Sequence, residues 1–158
     1  MKNLGTLIFI LIAALIIIAP SCKEKVDNYL EEQKKLEKYL ADSNITTLPD
    51  QYGLYYIEKV KGTGEKARSP YTVSVKYRGT FLDGTVFDSN MDSLKPLSFP
   101  LGVGAVIDGW EIGLTKYMYV GGKAKLIIPS TLAYGPQGSG PIPGYTTLVF
   151  DIELVNLQ

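Results

Sequence analysis

The chain has 158 residues, no histidine, one cysteine and one tryptophan, and its 16 basic residues are balanced by 16 acidic ones. A formal net charge of +0 gives no strong field for binding nucleic acid. Without histidine the chain lacks the usual general base of nucleophilic triads, and with a single cysteine it lacks the usual ligands for zinc, copper or haem. We therefore expect no metal, no cofactor and no nucleic-acid partner.

The N-terminus has the pattern of an export signal, because Lys2 precedes an apolar run from Leu7 to Ala19 and small residues follow up to Cys22. The run is about 13 residues long, against the roughly 20 that a membrane-spanning helix needs. Its end, "APSC", resembles the lipobox of bacterial lipoproteins. We predict that residues 1–21 are a lipoprotein signal peptide, that Cys22 is lipidated, and that the protein faces the periplasm on one of the envelope membranes. An uncleaved anchor is the alternative.

The next segment, Lys23 to Asn44, contains neither glycine nor proline, and its apolar residues fall near helical spacing. Glu31 and Lys35 form an i,i+4 pair in the favourable orientation. The pattern predicts a helical linker within residues 22–50, with a dimerising or domain-packing helix as the alternative. The globular domain is predicted to span residues 51–158.

From Tyr71 to Leu82 the pattern changes to period two, which indicates a strand with one apolar and one wet face. The dipeptide Asp83-Gly84 follows, a strong hairpin signal, and "TVFD" is the predicted return strand. Further strands are predicted near the C-terminus around 148–155, over 123–128 and over 54–60. The apolar face of this sheet must therefore be buried against another element of the chain.

The cover is predicted to be a short helix in "IDGWEIGLTKYM", where Ile107, Trp110 and Leu114 share a face and Asp108 is placed to cap the start. One short helix against an antiparallel sheet gives an α+β architecture. Trp110 then lies in the first helical turn beside Gly109. It is either ordinary core or the floor of a cavity.

The order of the motifs decides between these alternatives. The segments "YRGTFLDGTVFDS", "VIDGWEIGL", "LAYG" and "TLVFDIEL" resemble the FKBP family of peptidyl-prolyl cis-trans isomerases, the macrolide-binding immunophilins, over roughly residues 51–158. The resemblance implies a five- to six-stranded antiparallel half-barrel wrapped around one short helix, with an apolar pocket between them.

The resemblance also implies the residues of that pocket. The catalytic candidates lie in the strand, helix and loop motifs just quoted: Phe87, Asp88, Trp110 and Tyr134. The substrate-binding candidates are mostly apolar: Tyr77, Phe99, Val106, Ile107, Ile142 and Phe150. The segment "GPQGSGPIPG", Gly135 to Gly144, is the expected flap over the pocket. Leu97 and Pro141 depart from the pattern of tight macrolide binders, so we expect weak macrolide binding.

The implied activity is cis-trans isomerisation of Xaa-Pro bonds in exported, proline-containing polypeptides, assisting their folding in the cell envelope. This chemistry requires neither a nucleophile nor proton transfer, so a chain without histidine can perform it. Two alternatives remain open at this point. One is a peptide-binding chaperone module that does not catalyse, and the other is a structural envelope lipoprotein whose N-terminal helix docks a partner.

Overall fold

The computed structural model describes residues 20–158, with side chains from Lys23 onward, so the predicted signal peptide falls almost entirely outside the described residues. Two α-helices, six strands and one 3-10 turn make up this described part of the chain. In order they are α1 (Pro20–Asp42), β1 (Tyr55–Val60), β2 (Thr72–Thr80), β3 (Val86–Ser89), β4 (Leu97–Pro100), α2 (Asp108–Tyr117), β5 (Lys123–Ile128), the 3-10 turn (Ser130–Leu132) and β6 (Leu148–Leu157).

The six strands form one antiparallel sheet in the order β1-β5-β6-β2-β3, and β4 also pairs with β2. Strands β3 and β4 share one edge of β2, because β4 pairs with its first half and β3 with its last three residues. The predicted turn at Asp83-Gly84 joins β2 to β3, and Gly84 adopts a φ of 87°, which favours glycine. The α+β architecture with a six-stranded antiparallel sheet is confirmed.

The inner face of the sheet carries the main core. Alternate residues of β6 point inward, and they pack with residues of β2, β5 and the buried side of α2. The buried β6 residues of this cluster are Leu148, Phe150, Ile152 and Leu154. Helix α2 covers the inner face as predicted, with Trp110 and Leu114 buried against the sheet.

Asp108 does not cap α2, contrary to our prediction. The N-cap is Ile107, whose backbone is extended (φ −60°, ψ 148°), and no side chain caps this end of the helix. Asp108 is instead the first helical residue, where a carboxylate still interacts favourably with the positive end of the helix dipole. The N-cap therefore lies one residue earlier than predicted, because the last extended residue before the helix is Ile107.

The outer face of the sheet is not uniformly wet, because α1 packs on it. Leu36 of α1 is buried together with Ile127 of β5 and Val149 of β6 in a second, smaller apolar cluster. Both of these strands are therefore buried on two sides at this point. Period-two alternation alone predicted a wet face here, and the helix that covers it comes from a distant part of the sequence. Neither helix in the described part of the chain is both long and apolar enough to cross a bilayer.

Candidate functional site

A cavity of about 180 Å³ opens between the inner face of the sheet and the start of α2. It is lined by residues from β2, β3, β4 and β6, from the start of α2 and the loop before it, and from the loop between β5 and β6, residues 129–147, which we call the β5–β6 loop. The lining residues are Tyr77, Phe87, Asp88, Leu97, Ala105, Val106, Ile107, Trp110, Tyr134 and Phe150. Eight of the ten residues predicted from the sequence therefore meet in one place.

Trp110 lies at the floor of this cavity and is only 4% exposed. Its ring meets the rings of Tyr77 and Phe150 edge to face, at centroid distances of 4.9 and 5.2 Å. Such edge contacts are a preferred geometry of aromatic pairs. Within the described residues, the indole Nε1 of Trp110 is a buried nitrogen with no hydrogen-bond partner. The ring is thus fixed by packing alone.

The residue before Trp110 is Gly109, and the close approach of α2 to the sheet requires a glycine there. A Cβ atom at Gly109 would lie 2.4 Å from Cγ2 of Ile128 on β5, which is closer than real contacts allow. The missing side chain lets the first turn of α2 approach the sheet, and Trp110 is consequently held against the inner face.

Gly79 of β2 has a similar role in the wall of the cavity. A Cβ atom there would lie 2.6 Å from Cζ of Phe87 and 2.8 Å from Cε1 of Phe150. The two phenyl rings occupy this space and pack edge to face at 5.6 Å. Phe81, which was not predicted as a site residue, supports Phe87 from behind at 5.1 Å. The wall is therefore a continuous aromatic surface.

One polar pair interrupts this apolar lining. The Tyr77 hydroxyl donates a hydrogen bond of 2.5 Å to Oδ2 of Asp88. Burial and this hydrogen bond together raise the pKa of Tyr77 well above its usual range. The bond fixes the orientation of the Tyr77 ring, whose edge contacts Trp110.

Tyr134 and Ile107 bring hydrogen-bonding groups to the mouth of the cavity. Tyr134 precedes the flap, lines the cavity and is 38% exposed. Ile107 is the N-cap of α2, and its carbonyl accepts hydrogen bonds from the amides of Trp110 and Glu111. Its own backbone N–H lies at a helix N-terminus, where donors are not used within the helix.

Glu111 orders the loop before α2, a structural role that sequence reasoning missed. Its carboxylate accepts hydrogen bonds from the amides of Gly102 (2.8 Å) and Gly104 (3.2 Å) and so ties down the loop that leads to Val106 and Ile107. No local pattern indicates this, because the carboxylate binds backbone groups seven and nine residues earlier in the chain.

Phe99 and Ile142 do not line the cavity, although both were predicted to bind substrate. Phe99 is buried behind Trp110 at a ring distance of 5.8 Å, because the alternation of β4 turns it into the core. Ile142 is buried in the same cluster and exchanges two backbone hydrogen bonds with Ser139, which fold the flap back on itself. Phe99 therefore supports the ring of Trp110, whereas Ile142 belongs to the main core. Conversely, Leu97 and Ala105 line the cavity and were not among the predicted site residues.

A larger groove of about 580 Å³ lies between α1, the β2–β3 turn and the end of the β5–β6 loop. It contains none of the ten predicted site residues, and its lining mixes lysines and carboxylates with apolar groups. The cavity at Trp110, although smaller, is therefore the candidate site. Among the described residues, no group of three or more His, Cys, Asp or Glu could hold a metal ion.

Comparison with known proteins places this chain in a family. Residues 63–155 match the family model described as FKBP-type peptidyl-prolyl cis-trans isomerase. The chain is 43% identical over 139 residues to the FKBP-type peptidyl-prolyl cis-trans isomerase FkpA of Aeromonas hydrophila, a match that covers 86% of this chain and 51% of that protein. It is 53% identical over 92 residues to FK506-binding protein 2 of Debaryomyces hansenii, covering 58% of this chain and 67% of that one.

Two solved structures have a similar fold. The crystal structure of FkpA from Escherichia coli superposes with a TM-score of 0.73 at 39% identity, covering 86% of this chain and 62% of that one. A peptidyl-prolyl cis-trans isomerase from Pseudomonas syringae superposes with a TM-score of 0.70 at 35% identity, covering 85% and 96%. The chain spans about half the length of the Aeromonas relative. The family model nevertheless matches more than half of the chain, and we conclude that the chain belongs to the FKBP-type peptidyl-prolyl cis-trans isomerase family.

Proposed function

We propose that this protein catalyses the cis-trans isomerisation of Xaa-Pro peptide bonds in the cavity above Trp110. The observation that carries the proposal is the cavity itself, which has an aromatic floor and wall and a hydrogen-bonded polar pair, Tyr77 and Asp88, at its rim. At about 180 Å³ it is smaller than the 300–1,000 Å³ typical of pockets for drug-sized ligands, and this favours a single ring such as that of proline. The same size favours weak macrolide binding.

An apolar lining with a few hydrogen-bond donors suits this reaction, because the barrier to peptide-bond rotation comes from amide resonance. Rotation about a peptide bond costs about 18–20 kcal/mol, since planarity gives the amide charge-separated resonance. A dry apolar cavity disfavours the charge-separated planar amide relative to the twisted one, and fixed donors bind the substrate carbonyls in the twisted geometry. In this scheme Trp110, Phe87 and Phe150 hold the proline ring. The Ile107 amide and the Tyr134 hydroxyl are the proposed carbonyl donors.

The activity is tested with the purified full-length chain in detergent and a peptide that carries an apolar residue before proline. We expect the slow phase of a protease-coupled assay, which reports the cis fraction, to accelerate in proportion to protein concentration. Uncatalysed exchange takes tens to hundreds of seconds, so acceleration is easily resolved. A folded preparation that leaves the slow phase at its uncatalysed rate contradicts the proposal, and binding without acceleration points to a chaperone module instead.

We further propose that the substrates are exported polypeptides and that the protein is a lipoprotein facing the periplasm. The support is in the sequence, where Lys2, the apolar run that ends at Ala19 and the small residues before Cys22 follow the order of a lipoprotein signal. Lipid on Cys22 would keep α1 and the catalytic domain at a membrane surface, outside the cytoplasm.

The location is tested by metabolic labelling with a palmitate analogue in a bacterial host. We expect label on the wild-type protein and none on Cys22→Ser, because Cys22 is the only thiol in the chain. Equal labelling of the two proteins contradicts lipidation at Cys22.

A further inference from the structure

Glu32 of α1 is buried against the β5–β6 loop, and its hydrogen-bond partners are 98 and 115 residues away in the sequence. Its side chain is 3% exposed, although Glu31 next to it forms an ion pair with Lys34 at the helix surface. The Glu32 carboxylate accepts three hydrogen bonds, from the Ser130 amide (2.7 Å), the Ser130 hydroxyl (2.6 Å) and the Thr147 hydroxyl (2.7 Å). Burying a carboxylate is costly unless such donors compensate.

The two partners of Glu32 lie at opposite ends of the β5–β6 loop. Ser130 follows the end of β5 by two residues, and Thr147 directly precedes the start of β6. Oε1 of Glu32 accepts from both ends at once, from the Ser130 amide and the Thr147 hydroxyl. One carboxylate therefore fastens the two stems of the loop that carries Tyr134 and the flap.

Ser130 also hydrogen-bonds to the backbone on both sides of Tyr134. The Ser130 carbonyl accepts hydrogen bonds from the amides of Ala133 (3.0 Å) and Gly135 (2.8 Å), the residues on either side of Tyr134. The Gly135 carbonyl in turn accepts from the Tyr145 amide at 2.9 Å, which returns the chain to the second stem. The backbone at Tyr134 is thus fixed through Ser130 to Glu32.

We propose that Glu32 is a positioning residue for the isomerase site, acting through the stems of the β5–β6 loop to hold Tyr134 at the mouth of the cavity. The proposal rests on the proposed function. Attachment of α1 to the sheet does not explain the arrangement, because Leu36 already packs α1 on Ile127 and Val149. An apolar residue at position 32 would attach α1 to the sheet equally well. The three hydrogen bonds to the Glu32 carboxylate instead order the β5–β6 loop.

The test compares Glu32→Ala with Glu31→Ala in the full-length chain in detergent. Both variants remove one carboxylate from α1, but Glu31 does not contact the loop. We expect Glu32→Ala to lower kcat/KM by about 3- to 10-fold, the effect of about one net hydrogen bond in the site, mainly through kcat. Glu31→Ala should match the wild type, and Glu32→Gln, which keeps one acceptor oxygen, should recover part of the loss.

A double variant separates positioning from general destabilisation. If Glu32 acts through Tyr134, Glu32→Ala should cost much less in a Tyr134→Phe background than in the wild type. Equal fold losses in both backgrounds overturn the proposal. So does wild-type kcat/KM in Glu32→Ala.

Amide hydrogen exchange gives a readout that does not depend on activity. In Glu32→Ala the amides of Ala133, Gly135 and Tyr145 should exchange faster, while those of the central strand β6 keep their protection. Unchanged exchange at these three amides overturns the positioning role even if the wild type is inactive. An inactive wild type whose loop amides do respond to Glu32→Ala counts against the proposed function alone.

Discussion

Asp88→Leu should lower kcat/KM toward an Xaa-Pro peptide by about 10- to 100-fold. The change removes the acceptor of the Tyr77 hydroxyl, a hydrogen bond to a charged group of the kind worth about 1.5–3 kcal/mol, and each 1.36 kcal/mol corresponds to a factor of ten in rate. It also leaves a partly buried hydroxyl without a partner. The Tyr77 ring is then free to turn away from Trp110, which it contacts at 4.9 Å.

Asp88→Asn is the matched control for this variant. Asparagine keeps an oxygen that accepts from Tyr77 but loses the charge, so we expect a loss intermediate between those of the wild type and Asp88→Leu. Circular dichroism should show both variants folded, because Asp88 lies at the rim of the cavity rather than in the core. If Asp88→Leu keeps wild-type kcat/KM, the polar pair has no role in the reaction.

Phe150→Ala should lower the free energy of unfolding by about 3–5 kcal/mol, the usual cost of truncating a buried phenylalanine. Phe150 is 4% exposed, and its ring packs against the rings of Trp110, Phe87 and Tyr77. The truncation enlarges the cavity that Phe150 lines and removes three aromatic contacts. Urea denaturation followed by circular dichroism measures the change.

Two further variants of β6 control this measurement. Val155→Ala truncates a side chain that is exposed on the same strand, and it should change the free energy of unfolding by less than about 0.5 kcal/mol. Phe150→Leu should lie between the wild type and Phe150→Ala, and it keeps the comparison possible if the alanine variant does not fold. A loss below about 1 kcal/mol for Phe150→Ala would contradict the central place of this ring in the core.

The sheet and the floor of the cavity could be predicted from the sequence because their signals are local. Alternation from Tyr71 to Leu82 predicts β2, and the Asp83-Gly84 turn fixes where the chain reverses, as the observed hydrogen bond from the Phe81 amide to the Thr85 carbonyl confirms. The motif around Trp110 predicted a helix, and the resemblance suggested that its ring faces a cavity.

Other features depend on contacts that no local pattern encodes. Glu32 stands in the run "YLEEQKKLEK", where alternating charges are typical of a solvated helix face. Its burial results from partners 98 and 115 residues away. The burial of Phe99 and Ile142 in the core was also not predicted, because it too depends on tertiary packing. The resemblance indicates which positions surround the pocket, but the packing of the core decides which of them reach its surface.

We propose that the cavity above Trp110 changes the rate of isomerisation and does not merely bind proline-containing peptides. NMR exchange spectroscopy measures this rate at equilibrium, without a protease, from the build-up of cross-peaks between the cis and trans signals of one peptide. We predict cross-peaks within a second at catalytic amounts of the wild-type protein, and markedly slower build-up with Asp88→Leu. Peptide signals that shift on binding to the wild-type protein while cis and trans fail to exchange would contradict the account.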